Sequence, residues 1–140
     1  MTVDRVERLR EIPIFAGLSD SSLDRVAAMA REVELGAGQV LIQPHEPGSG
    51  MYVIEDGTVT VESRGRTIEL GPGEFFGELS LLVPEAARSA RVRSVTPVRC
   101  LALGRNDFTS LLESEPALAL SMLRSLARRL LEEIGAHESG

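Results

Sequence analysis

Between Arg31 and Gly104 the chain breaks into short apolar or β-branched runs, VEL, VLI, MYVIE, TVTVE, TIEL, EFF, ARVRSV and VRCLAL, punctuated by glycine and proline. That is about eight strands in some 70 residues, and strands so closely spaced pair antiparallel into a sandwich or jelly roll. Gly36-Ala37-Gly38 and Pro47-Gly48-Ser49-Gly50 read as turns, Asp56-Gly57 as a tight hairpin, and Gly65 with Arg66 as a second hairpin.

Helical periods flank this block. Val3, Val6 and Leu9 predict a short amphipathic helix broken at Ile12-Pro13-Ile14-Phe15, and Ser19 is placed to cap a second helix carrying Leu23, Val26, Ala27 and Ala30. After Gly104, Phe108, Leu111 and Leu112 mark another helix. Ser114 is the candidate cap and Pro116 the first-turn residue of the last one, which runs to about Ile134 with Gly135 as its stop. Leu123, Leu126, Leu130 and Ile134 form one stripe there, and Met122, Ala127 and Leu131 widen it, so the helix is expected to face both its own domain and a second subunit. The expected architecture is mainly β with flanking helices: an antiparallel β-roll, or double-stranded jelly roll, with N-terminal helices and a C-terminal helix pair. One domain over residues 1–140 is expected, with N-terminal helices in 1–30, the β-roll in 31–104 and C-terminal helices in 105–136, standing alone without a further module.

No run of about 18 apolar residues is present to span a bilayer, and the mixed charges from Asp4 to Glu11 are wrong for a secretory signal, so a cytoplasmic protein is expected. All 15 basic residues are arginine, as GC-rich bacterial coding produces. A net charge of −6 argues against a broad nucleic-acid surface, so any anion must be bound locally. Cys100, in an apolar strand, reads as a buried hydrophobe. His45 and His137 are the only histidines, too few for a jelly-roll metal site, and no serine sits in a nucleophile elbow. Neither a metal nor an enzymatic activity is expected.

Periodicity does not account for Gly71 to Arg93, GPGEFFGELSLLVPEAARSARVR, where Phe76-Gly77-Glu78 interrupts a strand with a turn and a short helix. Gly77 admits close approach of a ligand, and the amides of Glu78, Leu79 and Ser80 open the helix with free N–H groups that attract phosphate. Arg88, ten residues beyond Glu78, carries a planar guanidinium able to take two phosphate oxygens. Ionised Glu78 is acceptor-only and suits sugar hydroxyls. The competing reading is an ion pair between Glu78 and Arg88 that pins a loop without ligand.

Residues Gly36 to Leu103 resemble the cyclic nucleotide-binding domain family. Its phosphate-binding cassette is matched in order by Phe76-Gly77-Glu78-Leu79-Ser80-Leu81-Leu82 and Arg88-Ser89-Ala90, with Ala87 where many members carry proline and Arg91 where many carry a hydroxyl residue. The resemblance implies that Glu78 accepts the ribose 2′-hydroxyl and Arg88 pairs with the cyclic phosphate. The amides of Ser80 and Ser89 complete the cradle, and Gly77 leaves room for the sugar. The side chain of Ser89 either donates to phosphate, meets the 2-amino group of a guanine, or is only a small loop residue. Gly36, Gly57 and Gly71 match the family's structural glycines. Glu133 and Ile134 fall near where catabolite activator-type members contact the base, and Arg64, Arg66, Arg91, Arg93 and Arg99 have at most an indirect role through the local potential.

The implied function is a stand-alone bacterial signal-transduction sensor for cAMP rather than cGMP that transmits ligand state through the C-terminal helix. Its partners would be a homodimeric copy or an effector protein on that helix, without nucleic acid or membrane. The alternatives are a ligand-free version of the fold serving as a dimerisation or docking module, and the sensor half of a transcription factor.

Overall fold

The computed structural model of the chain describes residues 2–42, 50–63, 65–83 and 90–139. The expected turn at Pro47, Gly48 and Ser49, together with His45, Arg64, Ala87, Arg88 and Ser89, lies outside them. Helix α1 (Thr2–Arg10), a 3-10 turn (Pro13–Phe15) and α2 (Asp20–Met29) lead into the strands. These are β1 (Arg31–Leu35), β2 (Val40–Ile42), β3 (Gly50–Asp56), β4 (Val59–Ser63), β5 (Arg66–Leu70), β6 (Phe75–Phe76), β7 (Ala90–Ser94) and β8 (Val98–Gly104), with helix α3 (Glu78–Leu82) between the sixth and seventh. Helices α4 (Arg105–Ser114) and α5 (Pro116–Ser139) follow.

The strands form two four-stranded sheets, ordered β1-β8-β3-β6 and β2-β7-β4-β5, in which every neighbouring pair is antiparallel. This is the antiparallel β-roll with flanking helices that the sequence predicts. The chain leaves the first sheet at β6 and enters the second at β7, so α3 lies on the crossover between them.

The first sheet is covered on both faces, which is why β3 and β8 read as nearly continuous apolar runs. Met51, Val53, Phe75, Leu101 and Leu103 pack with Leu9, Phe15, Leu23, Phe108 and Leu118 of the helices. On the other side Ile54, Phe76, Val98 and Cys100 meet Val59, Leu70 and Val92 of the second sheet inside the roll. Cys100 is fully buried there, and burial, helped by the charge of Glu55, pushes its thiol up to about 12.

Polar side chains fix the helices and turns at particular points. Ser19 caps α2 by accepting from the Ser22 amide, as expected. Arg8 reaches from α1 to Glu55 of β3 at 2.9 and 3.0 Å and to Glu32 of β1 at 2.7 Å. The buried hydroxyl of Ser94 donates to Gly36 O at 2.6 Å and accepts from Gln39 N at 2.9 Å, which knits the Gly36-Ala37-Gly38 turn to β7.

Two helix-end expectations are corrected. Ser114 does not cap α5: it is the last residue of α4, its hydroxyl donating to Ser110 O, and Glu115 alone separates the two helices. Nor does Gly135 end α5, which continues past the expected limit at residue 136 to Ser139. A glycine inside a helix costs only about 1 kcal/mol relative to alanine, which the rest of a 24-residue helix tolerates.

Candidate functional site

The candidate site is built where β6 stops. Phe75 and Phe76 pair with Val53 and Tyr52 of β3, so their side chains go to opposite faces of the first sheet. Phe76 turns into the roll and stacks on Tyr52, ring centres 5.2 Å apart, while Phe75 turns toward the helices. The chain must then leave the sheet at once, and Gly77 does this with φ of +90°. A β-carbon at that position would sit 2.7 Å from Gly50 O, so glycine is needed both for the dihedral and for the closeness of β3.

Helix α3 begins at the next residue. The first N–H groups of a helix have no acceptor within it, and here they belong to Glu78, Leu79 and Ser80. Ala90 opens β7 beside Ser63 of β4, on the far side of the crossover. Thus Phe76, Gly77, Glu78, Leu79, Ser80 and Ala90 are placed along one sheet-to-sheet passage. Arg88 and Ser89 belong to the part of that passage outside the described residues.

Glu78 is the unusual member. Its residue is 2% exposed, and its Oε2 is buried with no hydrogen-bond partner among the described residues. Burial pushes its carboxyl above the usual range, opposed by the charge of Arg129 and by its own backbone amide. An orphaned buried acceptor is costly, and a ligand hydroxyl is the kind of donor that would relieve it.

Arg129 was not a candidate in the sequence reading. It reaches down from α5, placing Nη1 3.5 Å from Glu78 Oε1, donating from Nη2 to Phe75 O at 2.8 Å, and setting its guanidinium carbon 4.8 Å from the centre of the Phe75 ring. The available signal was its position three residues after Leu126 and seven after Met122, both of which pack inward. One turn further, Glu133 Oε2 lies 3.9 Å from Arg66 Nη1 at the start of β5. α5 therefore meets the roll at two successive turns, through hydrogen bonds at Arg129 and through a looser, half-exposed charge pair at Glu133.

The remaining arginines are placed differently. Arg99 sits with Glu32 and Glu55 in the network that holds α1, and Arg91 and Arg93 flank buried Val92 on the opposite face of β7. Ile134 is 44% exposed and, among the described residues, belongs to neither hydrophobic core. Of the glycines matched by resemblance, Gly57 is sterically required, whereas Gly36 and Gly71 meet no atom closer than 3.9 Å. Among the described residues no group of three or more His, Cys, Asp or Glu could hold a metal ion.

Substituting Glu78 by glutamine is expected to flatten the pH dependence of stability. Because the folded carboxyl titrates above its unfolded value near 4.5, its contribution to stability is full below that value and is lost as pH rises through the folded one. The Glu78→Gln variant should lack this loss, so thermal denaturation at acidic and neutral pH should show a smaller drop than in wild type. An identical drop in both proteins would refute the assignment.

Comparison with known proteins places the geometry in context. The pattern of the "Cyclic nucleotide-binding domain" family matches residues 32–115. A cyclic nucleotide-gated potassium channel of Mesorhizobium japonicum is 37% identical over 108 residues, covering 77% of this chain and 30% of the channel. A CRP-like cAMP-activated global transcriptional regulator of Mycobacterium tuberculosis is 32% identical over 131 residues, covering 89% of this chain and 58% of the regulator. The chain therefore spans less than two thirds of either relative. Among solved structures, the N-terminal domain of a transcriptional regulator from Streptomyces coelicolor is 37% identical with a TM-score of 0.63, covering 95% of this chain and 94% of that domain. No helix among the described residues is long and apolar enough to cross a membrane.

Proposed function

Since the chain belongs to the cyclic nucleotide-binding domain family, we propose that it is a regulatory sensor that binds cAMP in preference to cGMP and performs no catalysis of its own. The buried, unpartnered Oε2 of Glu78 is the observation that carries this reading, because it presents an acceptor with nothing to accept. In this reading the ribose 2′-hydroxyl donates to Glu78, and Arg88 takes the cyclic phosphate as a two-pronged donor. The amides of Ser80 and Ser89 complete the phosphate cradle, Phe76 and Leu79 flank it, and Gly77 and Ala90 leave it open. The preference for adenine is supported by the 32% identity to a regulator described as cAMP-activated.

Ligand state leaves the site through α5, to a second copy of the chain or an effector protein. A ligand shifts an equilibrium only through contacts that differ between states, and Arg129 is suited to supply one. Its guanidinium is shared between Glu78 and the Phe75 carbonyl, so a hydroxyl bound to Glu78 alters the pull on α5. The domain spans residues 1–140 and works in the cytoplasm.

Thermal denaturation with and without millimolar cAMP or cGMP tests the proposal. A ligand at 100 times its dissociation constant stabilises by about 2.7 kcal/mol, a shift of several degrees, and titration calorimetry then ranks the two nucleotides. The second reading, a ligand-free docking module, is favoured by Arg129 itself, which partly neutralises Glu78 without any ligand. It predicts no shift with either nucleotide, and that outcome would end the sensor reading.

A further inference from the structure

Helix α1 is fastened through charge more than through apolar surface. Five of its nine residues are charged, and among its described side chains only Leu9 and half-buried Val6 join the core. Its three arginines each grip a different element. Arg5 Nη1 donates to Ala27 O at 2.8 Å and to Ala30 O at 3.2 Å, where α2 ends, Arg10 pairs with Asp20, where α2 begins, and Arg8 crosses to the first sheet. A nine-residue helix is too short to persist in water by itself, so α1 stays helical only while these grips hold.

The grip of Arg8 depends on an irregularity of β3. Opposite β8, Ile54 faces Cys100 and Asp56 faces Arg99, which makes Glu55 the extra residue of a β-bulge. The Glu55 side chain is 5% exposed, and Arg8 takes both of its oxygens, Nε donating to Oε2 at 3.0 Å and Nη2 to Oε1 at 2.9 Å. A second guanidinium stands beside the pair. Arg99 Nε lies 3.6 Å from Glu55 Oε1, too far for a hydrogen bond, and is buried with no partner among the described residues. An orphaned buried donor is costly, and this one stops just short of a carboxylate that another arginine already occupies.

We propose that α1 is a releasable strap, which leaves the sheet as a unit while Arg99 closes on Glu55 in place of Arg8. Without a stand-in, departure of Arg8 would leave a buried carboxylate unpaired, and the strap would be locked in place. With Arg99 at hand, the carboxylate keeps a guanidinium in both states. What separates the states is then the contacts of Arg5, of Arg10 and of Arg8 with Glu32, which are exposed or partly so and weaken in salt. Ionic strength is the signal to which the strap responds, whether or not the roll binds a nucleotide. Release uncovers the cluster that Leu9 shares with Ile12, Phe15 and Leu23.

Hydrogen exchange of the full chain, read by mass spectrometry over the amides of residues 6–12, tests this. In wild type their exchange should speed up several-fold between about 50 mM and about 1 M NaCl, with β3 and β8 unchanged. The decisive variant is Arg99→Ala. Loss of the stand-in should slow exchange in α1 by roughly tenfold, because release then leaves Glu55 unpaired. Were Arg99 merely one more member of a static network, its removal would loosen α1 and exchange would quicken. Arg8→Ala should speed exchange in α1 yet lower the melting temperature by only a few degrees, and combining it with Arg99→Ala should lower it by more than the two single losses together. If the double variant fails to fold, the sign of the change in Arg99→Ala decides the matter. Faster or unchanged exchange in Arg99→Ala, wild-type exchange that ignores salt, or additive losses would each overturn the proposal.

Discussion

Replacing Arg88 by alanine is expected to weaken cyclic nucleotide binding by roughly 30-fold or more, the equivalent of about 2 kcal/mol at the low end of what truncating a charged, hydrogen-bonded partner costs. The cyclic phosphate carries the ligand's only formal charge, and a chain of net charge −6 offers no diffuse attraction to replace a lost guanidinium. Arg88→Lys keeps the charge but not the planar fork, so its affinity should fall between wild type and alanine. Titration calorimetry with cAMP and cGMP gives the three affinities, and melting temperatures without ligand, expected to agree within a few degrees, show that the fold is retained. Equal affinity for wild type and Arg88→Ala would remove Arg88 from the site while leaving the family assignment intact.

The largest loss of stability is expected at Gly57, away from the cassette. This residue closes the β3–β4 hairpin at φ of +93°, and a β-carbon there would lie 2.2 Å from Pro97 O and 2.9 Å from the Val98 α-carbon. Backbone on both sides must move, and buried Val98 belongs to the interior of the roll. A left-handed conformation alone costs alanine about 1–2 kcal/mol, and displacing the hairpin from β8 brings the total to about 3 kcal/mol or more. Gly57→Ala should therefore melt on the order of 10 °C below wild type. Gly71→Ala is the matched control: no atom lies within 4 Å of its β-carbon and its φ is not positive. If the two variants melted together, the steric argument at Gly57 would fail.

These two residues also mark how far the amino-acid sequence could be read. The eight strands were legible because each is short and most lie close to a glycine or proline, and Ser19 announced its helix with a cap whose chemistry is local. The order of strands in the sheets was not, since β1 beside β8 and β2 beside β7 are pairings of distant segments that no local pattern encodes. Within the site, Gly77 and Glu78 were found through their neighbours, whereas Arg129 is 51 residues from its carboxylate and had only its position on the inward side of α5 to distinguish it from Arg128. The broad apolar stripe of α5 predicted two surfaces without dividing them. Burial made the division: Met122 and Leu126 belong to the roll, and Leu123 and Leu130 to the exposed side. Ser114 and Gly135 misled for a common reason, because caps and stops are preferences of about 1 kcal/mol that the rest of a helix overrides.

The contacts of α5 with the roll bear on how fast the proposed ligand would get in and out. With Arg129 on Glu78 and the Phe75 carbonyl, and Glu133 near Arg66, the helix lies over the residues that a nucleotide would have to reach. In the proposed sensor, entry would wait for the helix to lift, and capture would be gated: its observed rate would level off at high nucleotide concentration, at the rate of lifting, instead of climbing without limit. Departure would wait for the same event, so a bound nucleotide would outlast what its contacts alone give, and the helix would convert brief rises in ligand into a longer-lived occupied state.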